Sequence, residues 1–157
     1  MALKEKHKLE GRLFIFLHDL TDRPVGRYKI DNLITNRGRN LLATFLAGQI
    51  EGLSQLTIAV GSGDDTPMTT DTALNKQVAE AKIIKDHIST ELNDDEVKIT
   101  LRATLPPAEQ GEEQSLQEAG IVIGLTDGTR VLYNRTVFPV ITRTDSLKIS
   151  LSWELLF

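Results

Sequence analysis

Leu147-Lys148-Ile149-Ser150-Leu151-Ser152-Trp153-Glu154-Leu155-Leu156-Phe157 is the stretch that decides the fold. Leu147, Ile149, Leu151, Trp153, Leu155 and Phe157 fall on one side of an extended chain; Lys148, Ser150, Ser152 and Glu154 fall on the other, and Leu156 alone breaks the pattern. Side chains of a strand alternate between faces, so a period of two predicts a long strand with one face in a core. With Phe157 the last residue of the sequence, the strand is expected to belong to the core of one compact β-rich unit.

Upstream segments extend that reading. Gly11 to Leu20 contains Leu13-Phe14-Ile15-Phe16-Leu17, apolar on both faces, which predicts a strand covered on both sides or lying at a subunit contact. These five residues are the candidate interface. Asp22-Arg23-Pro24 is a turn signal, and Val25 to Ile34 returns as the second strand of a hairpin. A helix is predicted over 35–48, capped by Thr35 or Asn36, with Leu41, Leu42, Phe45 and Leu46 as a core stripe and Gly48 at its end. Leu56 to Val60 is a strand running into Gly61-Ser62-Gly63-Asp64-Asp65, and Thr72 to Ala79 is expected to form a helical turn.

Ile83 to Leu92 and Val97 to Leu105 read as paired strands around Asn93-Asp94-Asp95, the second ended by Pro106-Pro107. Ala108 to Gln117, rich in Glu and Gln, reads as an exposed loop. Ala119 to Leu125 and Arg130 to Phe138 form a hairpin across Asp127-Gly128, with Pro139 interrupting before the last strand. Turns at these intervals, with about seven or eight strands and one helix, predict a mainly β fold: an antiparallel β-sandwich with one packed α-helix. Residues 1–9 are read as a flexible charged arm. Residues 10–157 are read as a single β-rich domain, made of an N-terminal hairpin (10–34), the helix and the sandwich strands (55–157).

Composition narrows function by exclusion. The 157 residues include 18 Lys and Arg, 22 Asp and Glu, and no Cys, for a net charge of −4. A disulfide framework and thiolate chemistry are therefore impossible. The basic residues are scattered, so no nucleic-acid footprint stands out. The longest apolar run, Leu13 to Leu17, is far short of the roughly 20 residues a membrane helix needs. No signal peptide is recognisable, and a soluble protein made in the cytoplasm is expected.

Candidate chemistry is sparse. Gly61-Ser62-Gly63 follows a strand but lacks the Lys-Ser/Thr of a phosphate-binding loop, and Asp64-Asp65 would repel phosphate. Asp64, Asp65 and Asp71 carry calcium-type oxygens at a spacing that fits no EF-hand, so a solvated acidic loop is expected there. His7, His18 and His87 are isolated from one another. Glu109, Glu112 and Glu113 lack the neighbouring aromatics of a sugar-cleaving cleft. Glu118-Ala119-Gly120-Ile121 differs in kind: a Glu at the mouth of a buried strand, then small residues where another backbone comes close. Asn134-Arg135 on the partner strand are placed to meet Glu118 as a polar pin for register. The expectation is no catalytic residue, no metal and no cofactor, hence no enzyme.

Taken in order, these segments resemble a known class. Asn32-Leu33-Ile34-Thr35-Asn36-Arg37-Gly38-Arg39-Asn40-Leu41-Leu42 leads into the helix. Ile58-Ala59-Val60-Gly61-Ser62-Gly63, Pro67 and Thr72-Ala73-Leu74 follow. Then come Glu118-Ala119-Gly120-Ile121, Asp127-Gly128, Leu132-Tyr133-Asn134-Arg135 and Phe138-Pro139. The set is similar to small β-rich proteins of the tail and fibre regions of tailed bacteriophages and contractile injection particles. It also resembles the amino-terminal attachment domain of phage tail-collar fibres, over roughly residues 30–157. The resemblance implies a virion structural protein of tail, neck or baseplate, assembled in the host cytoplasm. Its partners would be other tail, neck or baseplate proteins and further copies of itself as a trimer or hexamer, without nucleic acid or membrane. The alternative is a carbohydrate- or receptor-binding module at a fibre tip.

Overall fold

Strands β1 (Glu10–His18) and β11 (Lys148–Leu156) run antiparallel as neighbours, setting Leu13 opposite Trp153 and Ile15 opposite Leu151. Those four side chains are essentially excluded from solvent. The computed structural model describes residues 8–157. Between these two strands the chain forms β2 (Pro24–Asp31), β3 (Leu33–Ile34), α1 (Asn36–Leu46), β4 (Leu53–Gly61), β5 (Gln77–Ile83) and β6 (Ile88–Leu92). It continues through β7 (Val97–Leu105), β8 (Gln114–Leu125), β9 (Arg130–Leu132) and β10 (Asn134–Arg143).

Two antiparallel sheets pack face to face. One has 5 strands in the order β2-β1-β11-β7-β6. The other has 6, in the order β3-β10-β8-β4-β5 with β9 also paired to β8. The fold is thus a mainly β sandwich with one short helix. Leu13, Ile15, Leu101, Leu151 and Trp153 from the first sheet share a core with Ile58, Val60, Leu116, Ile121 and Ile141 from the second. Each fully buried aliphatic side chain of that kind stabilises by about 1.5–3 kcal/mol.

Several local expectations are corrected. Of the arm read at 1–9, residues 1–7 lie outside the described residues, and Leu9 packs against the core. The segment Thr72 to Ala79 is not a helical turn, because its last residues open β5. Ile83 to Leu92 is not one strand: a 3₁₀ turn at Lys85–His87 carries the chain from β5 in one sheet to β6 in the other. The stretch Ala108 to Gln117 is only partly loop, since Gln114 already belongs to β8 and Leu116 is buried beneath its polar neighbours.

Arg130 to Phe138 divides at Tyr133 into β9 and β10. Pro139 does not end β10; it sits where the pairing with β8 shifts register between Val137 and Ile141, a bulge that tolerates a missing donor. On α1 only half of the apolar stripe faces the core: Leu41 is buried and Leu42 packs partly buried against it, but Phe45 is 57% and Leu46 86% exposed.

Candidate functional site

The carboxylate of Glu118 is completely buried and receives four hydrogen bonds. Oε1 accepts the backbone N–H of Gly63 (3.1 Å) and of Lys76 (2.7 Å). Oε2 accepts the backbone N–H of Asn75 (3.0 Å) and the Arg135 Nε–H (3.0 Å). Strand alternation sends Ile121 and Ala119 inward and leaves Glu118, Gly120 and Val122 on the outer side of the six-stranded sheet. Loop 62–76 folds over that side, where Leu74 packs with Ala59 and Leu132.

Arg135 completes the cluster. Its side chain is 1% exposed, and its remaining nitrogens reach Asp65 Oδ1 at 2.7 Å and Asp71 Oδ2 at 3.0 Å. A planar guanidinium with donors on three nitrogens suits three carboxylates at once. Burial works against its charge, but the bonds from Asp65, Asp71 and Glu118 outweigh that and hold its pKa above the ordinary value. The Arg135 hydrogen bond in turn lowers the pKa of Asp65 below the ordinary 3.8. Asp71 also accepts the backbone N–H of Met68 at 2.9 Å, which shapes the loop around the guanidinium.

The small residues of the cluster are there for space. A Cβ on Gly63 would lie 2.7 Å from Asn75 Cβ and from Glu118 Oε1. On Gly120 it would lie 2.5 Å from the Asn134 carbonyl oxygen. The helix start docks on the same place. Thr35 Oγ1 accepts from Gly38 N–H at 2.9 Å, capping α1, and donates to the Leu132 carbonyl at 2.6 Å. Asn36 N–H donates to the Thr69 carbonyl at 2.8 Å, tying the helix to the loop.

Glu118 and Arg135 are thus brought together, while Asn134 serves elsewhere. Its Oδ1 accepts the Ile121 N–H at 2.8 Å, bridging the break between β9 and β10, and its Nδ2 donates to Asn32 Oδ1 at 3.1 Å. Asn32 Oδ1 also accepts the indole N–H of Trp153 at 2.6 Å. Asp64 stays exposed outside the cluster. The expectation of a solvated acidic loop is corrected for Asp65 and Asp71, both of which pair with Arg135. Nothing in their spacing announced that Arg135, far along the chain, would reach them.

Of the candidate interface, Leu13, Ile15 and Leu17 are core residues and present no surface. Phe14 and Phe16 alone face outward, half-buried, with near-parallel rings 6.5 Å apart and Arg27 lying 5.6 Å from the Phe16 centroid. Of the histidines, His7 lies outside the described residues, His18 ends β1 and His87 is exposed in the 3₁₀ turn.

Chemically the buried cluster is saturated. Each Glu118 oxygen takes two donors, so no lone pair is left over to abstract a proton. Among the described residues no three His, Asp or Glu side chains are arranged to hold a metal ion, and at Asp65, Asp71 and Glu118 the cationic place is filled by the guanidinium. Also among the described residues, no helix is long and apolar enough to cross a membrane. No protein-family model, curated protein or solved structure matches this chain.

Proposed function

We propose that this chain is a structural protein of a tailed-bacteriophage virion or a related contractile injection particle. It would act in the tail, neck or baseplate as a fibre, fibre adaptor or decoration, through symmetric contacts with its own copies and neighbouring particle proteins. One observation carries the reading. The scattered segments that resemble such proteins meet at one place: Thr35 and Gly38 dock on Leu132 and Tyr133, and Gly63 and the loop after it are held by Glu118 and Arg135. The ordered set behaves as one structural unit, which favours shared architecture over coincidence.

No enzymatic role belongs to this reading, because the buried charges are engaged in holding a loop. The carbohydrate-binding alternative would call for exposed rings on loops around a cleft, whereas Trp153 and Tyr133 are buried, Tyr28 packs against the core, and the outward rings Phe14 and Phe16 sit within β1 beneath Arg27 and Lys29. The test is the assembly state of the full chain, by light scattering after size exclusion and by negative-stain electron microscopy. A discrete symmetric particle is expected. A monomer at every concentration that nonetheless binds a surface polysaccharide would overturn the proposal in favour of the alternative.

A further inference from the structure

The outer face of the five-stranded sheet carries a charge pattern that the net charge of −4 conceals. Register places Arg27, Phe16, Ser150 and Thr104 in one row across β2, β1, β11 and β7, and Lys29, Phe14, Ser152 and Arg102 in the next. Neither row contains a carboxylate. A groove of about 430 Å³ opens there, lined by Phe16, His87, Arg102, Thr104, Ser150 and Ser152. Arg102 is the cation that lines the groove itself, and Arg27 and Lys29 stand over the Phe14 and Phe16 rings beside it. With the serine and threonine hydroxyls they make this face a receptor for carboxylates.

The complementary feature is on the same chain. Between Arg102 and Arg130 the sequence contains no Lys or Arg, and Glu109, Glu112 and Glu113 project from the connection between β7 and β8. That connection is a defined turn: Glu112 N–H donates to the Glu109 carbonyl at 2.9 Å, Gly111 adopts φ +80°, and its N–H donates to Asp145 Oδ2 at 3.2 Å. No ion pair among the described residues engages Arg27, Lys29 or Arg102, nor Glu109, Glu112 or Glu113. The two surfaces are charged, exposed and unmatched.

We infer that this cationic groove seats the acidic turn at 109–113 of a second copy of the chain. The cations span β2 to β7, three strand spacings or about 14 Å, a width that one tight turn with three Glu side chains can cover. Groove and turn are different patches, so the contact is head-to-tail. Repeated, such a contact closes into a ring or propagates as a filament. Electrostatic matching of this kind fixes partner and register. The inference deepens the assembly reading proposed above and rests on it.

Charge swapping tests it. One variant carries Arg27→Glu, Lys29→Glu and Arg102→Glu; a second carries Glu109→Lys, Glu112→Lys and Glu113→Lys; a third carries all six changes. All six positions are exposed, and Trp153 fluorescence verifies the fold. Light scattering is expected to give an assembly for wild type, the 17.4 kDa monomer for each single-patch variant, and a restored assembly for the combined one. A folded groove variant that keeps the wild-type mass would overturn the surface assignment while leaving the assembly reading standing. A monomeric wild type would remove the assembly reading and this contact together. A monomer whose groove residues instead retain it on heparin would reassign the face to polyanion binding.

Discussion

Replacing Glu118 with Gln removes one oxygen and one charge while keeping the shape, and the structure sets the size of the effect. Each carboxylate oxygen serves two donors: Gly63 and Lys76 N–H on one, Asn75 N–H and Arg135 Nε–H on the other. An amide has a single acceptor oxygen, so whichever way it turns, its NH₂ confronts two of those donors. Each buried donor left unpaired costs about 1–3 kcal/mol. Two of them, with some relief as the loop loosens into water, give about 4 kcal/mol, within the range for breaking a buried ion pair. For a chain of this size about 2–4 °C is lost per kcal/mol, so the melting temperature should fall by roughly 8–16 °C. Urea unfolding read by circular dichroism measures the free energy, and amide hydrogen exchange at Gly63, Asn75 and Lys76 locates it. A loss under about 1 kcal/mol, with those amides as protected as in wild type, would refute the idea that Glu118 holds the loop.

Other consequences follow from the same contacts. Arg135→Lys keeps the charge but cannot reach three carboxylates with one ammonium, so it should destabilise by about 3 kcal/mol rather than behave conservatively; a wild-type urea midpoint would contradict this. Asp65 has its folded pKa depressed, so its stabilisation is complete above the unfolded value of about 3.9 and disappears as pH falls through the lower folded value. The urea midpoint should therefore fall on acidification below about pH 4, and in Arg135→Lys that acid step should be smaller and be complete at a higher pH, because the folded pKa of Asp65 lies closer to its unfolded value; identical profiles for the two proteins would count against the pairing. Asn32→Leu leaves the buried Trp153 indole N–H and the Asn134 amide without their shared acceptor and should cost about 2–3 kcal/mol, read through the sole tryptophan; a neutral effect would argue that the indole finds another partner.

Most of the sandwich was legible wherever one face of a strand is polar. Strand β11 alternates cleanly because Ser150, Ser152 and Glu154 face outward, and β7 does so through Lys98, Arg102 and Thr104. The rule lost its grip where an outward residue is itself apolar. Phe14 and Phe16 made β1 look covered on both sides, although alternation operates there as elsewhere. It failed in the opposite sense at Leu116, hidden among Glu and Gln. The helix stripe misled in its second half, because α1 rests on the sheet through Gly38, Leu41 and Leu42 and leaves Phe45 and Leu46 outside.

At the site, the pairing of Glu118 with Arg135 could be read from two adjacent strands, since register constrains neighbours. Asp65 and Asp71 arrive from a loop whose course is set by where its backbone N–H groups find an acceptor, and no residue period encodes that. The role of Asn134 was misplaced for a similar reason. Its side chain replaces a backbone acceptor at a strand break, and the break itself leaves no compositional mark.

The guanidinium among Asp65, Asp71 and Glu118 has one more consequence. Many surface loops rich in carboxylates are ordered by a divalent ion, and their shape then follows the ion's supply and vanishes with a chelator. Here the neutralising charge is built into β10 by a peptide bond. It cannot be diluted away, exchanged for a competing ion or extracted. Loop 62–76 should keep one shape in media of any hardness, with proton concentration as the remaining lever on its closure.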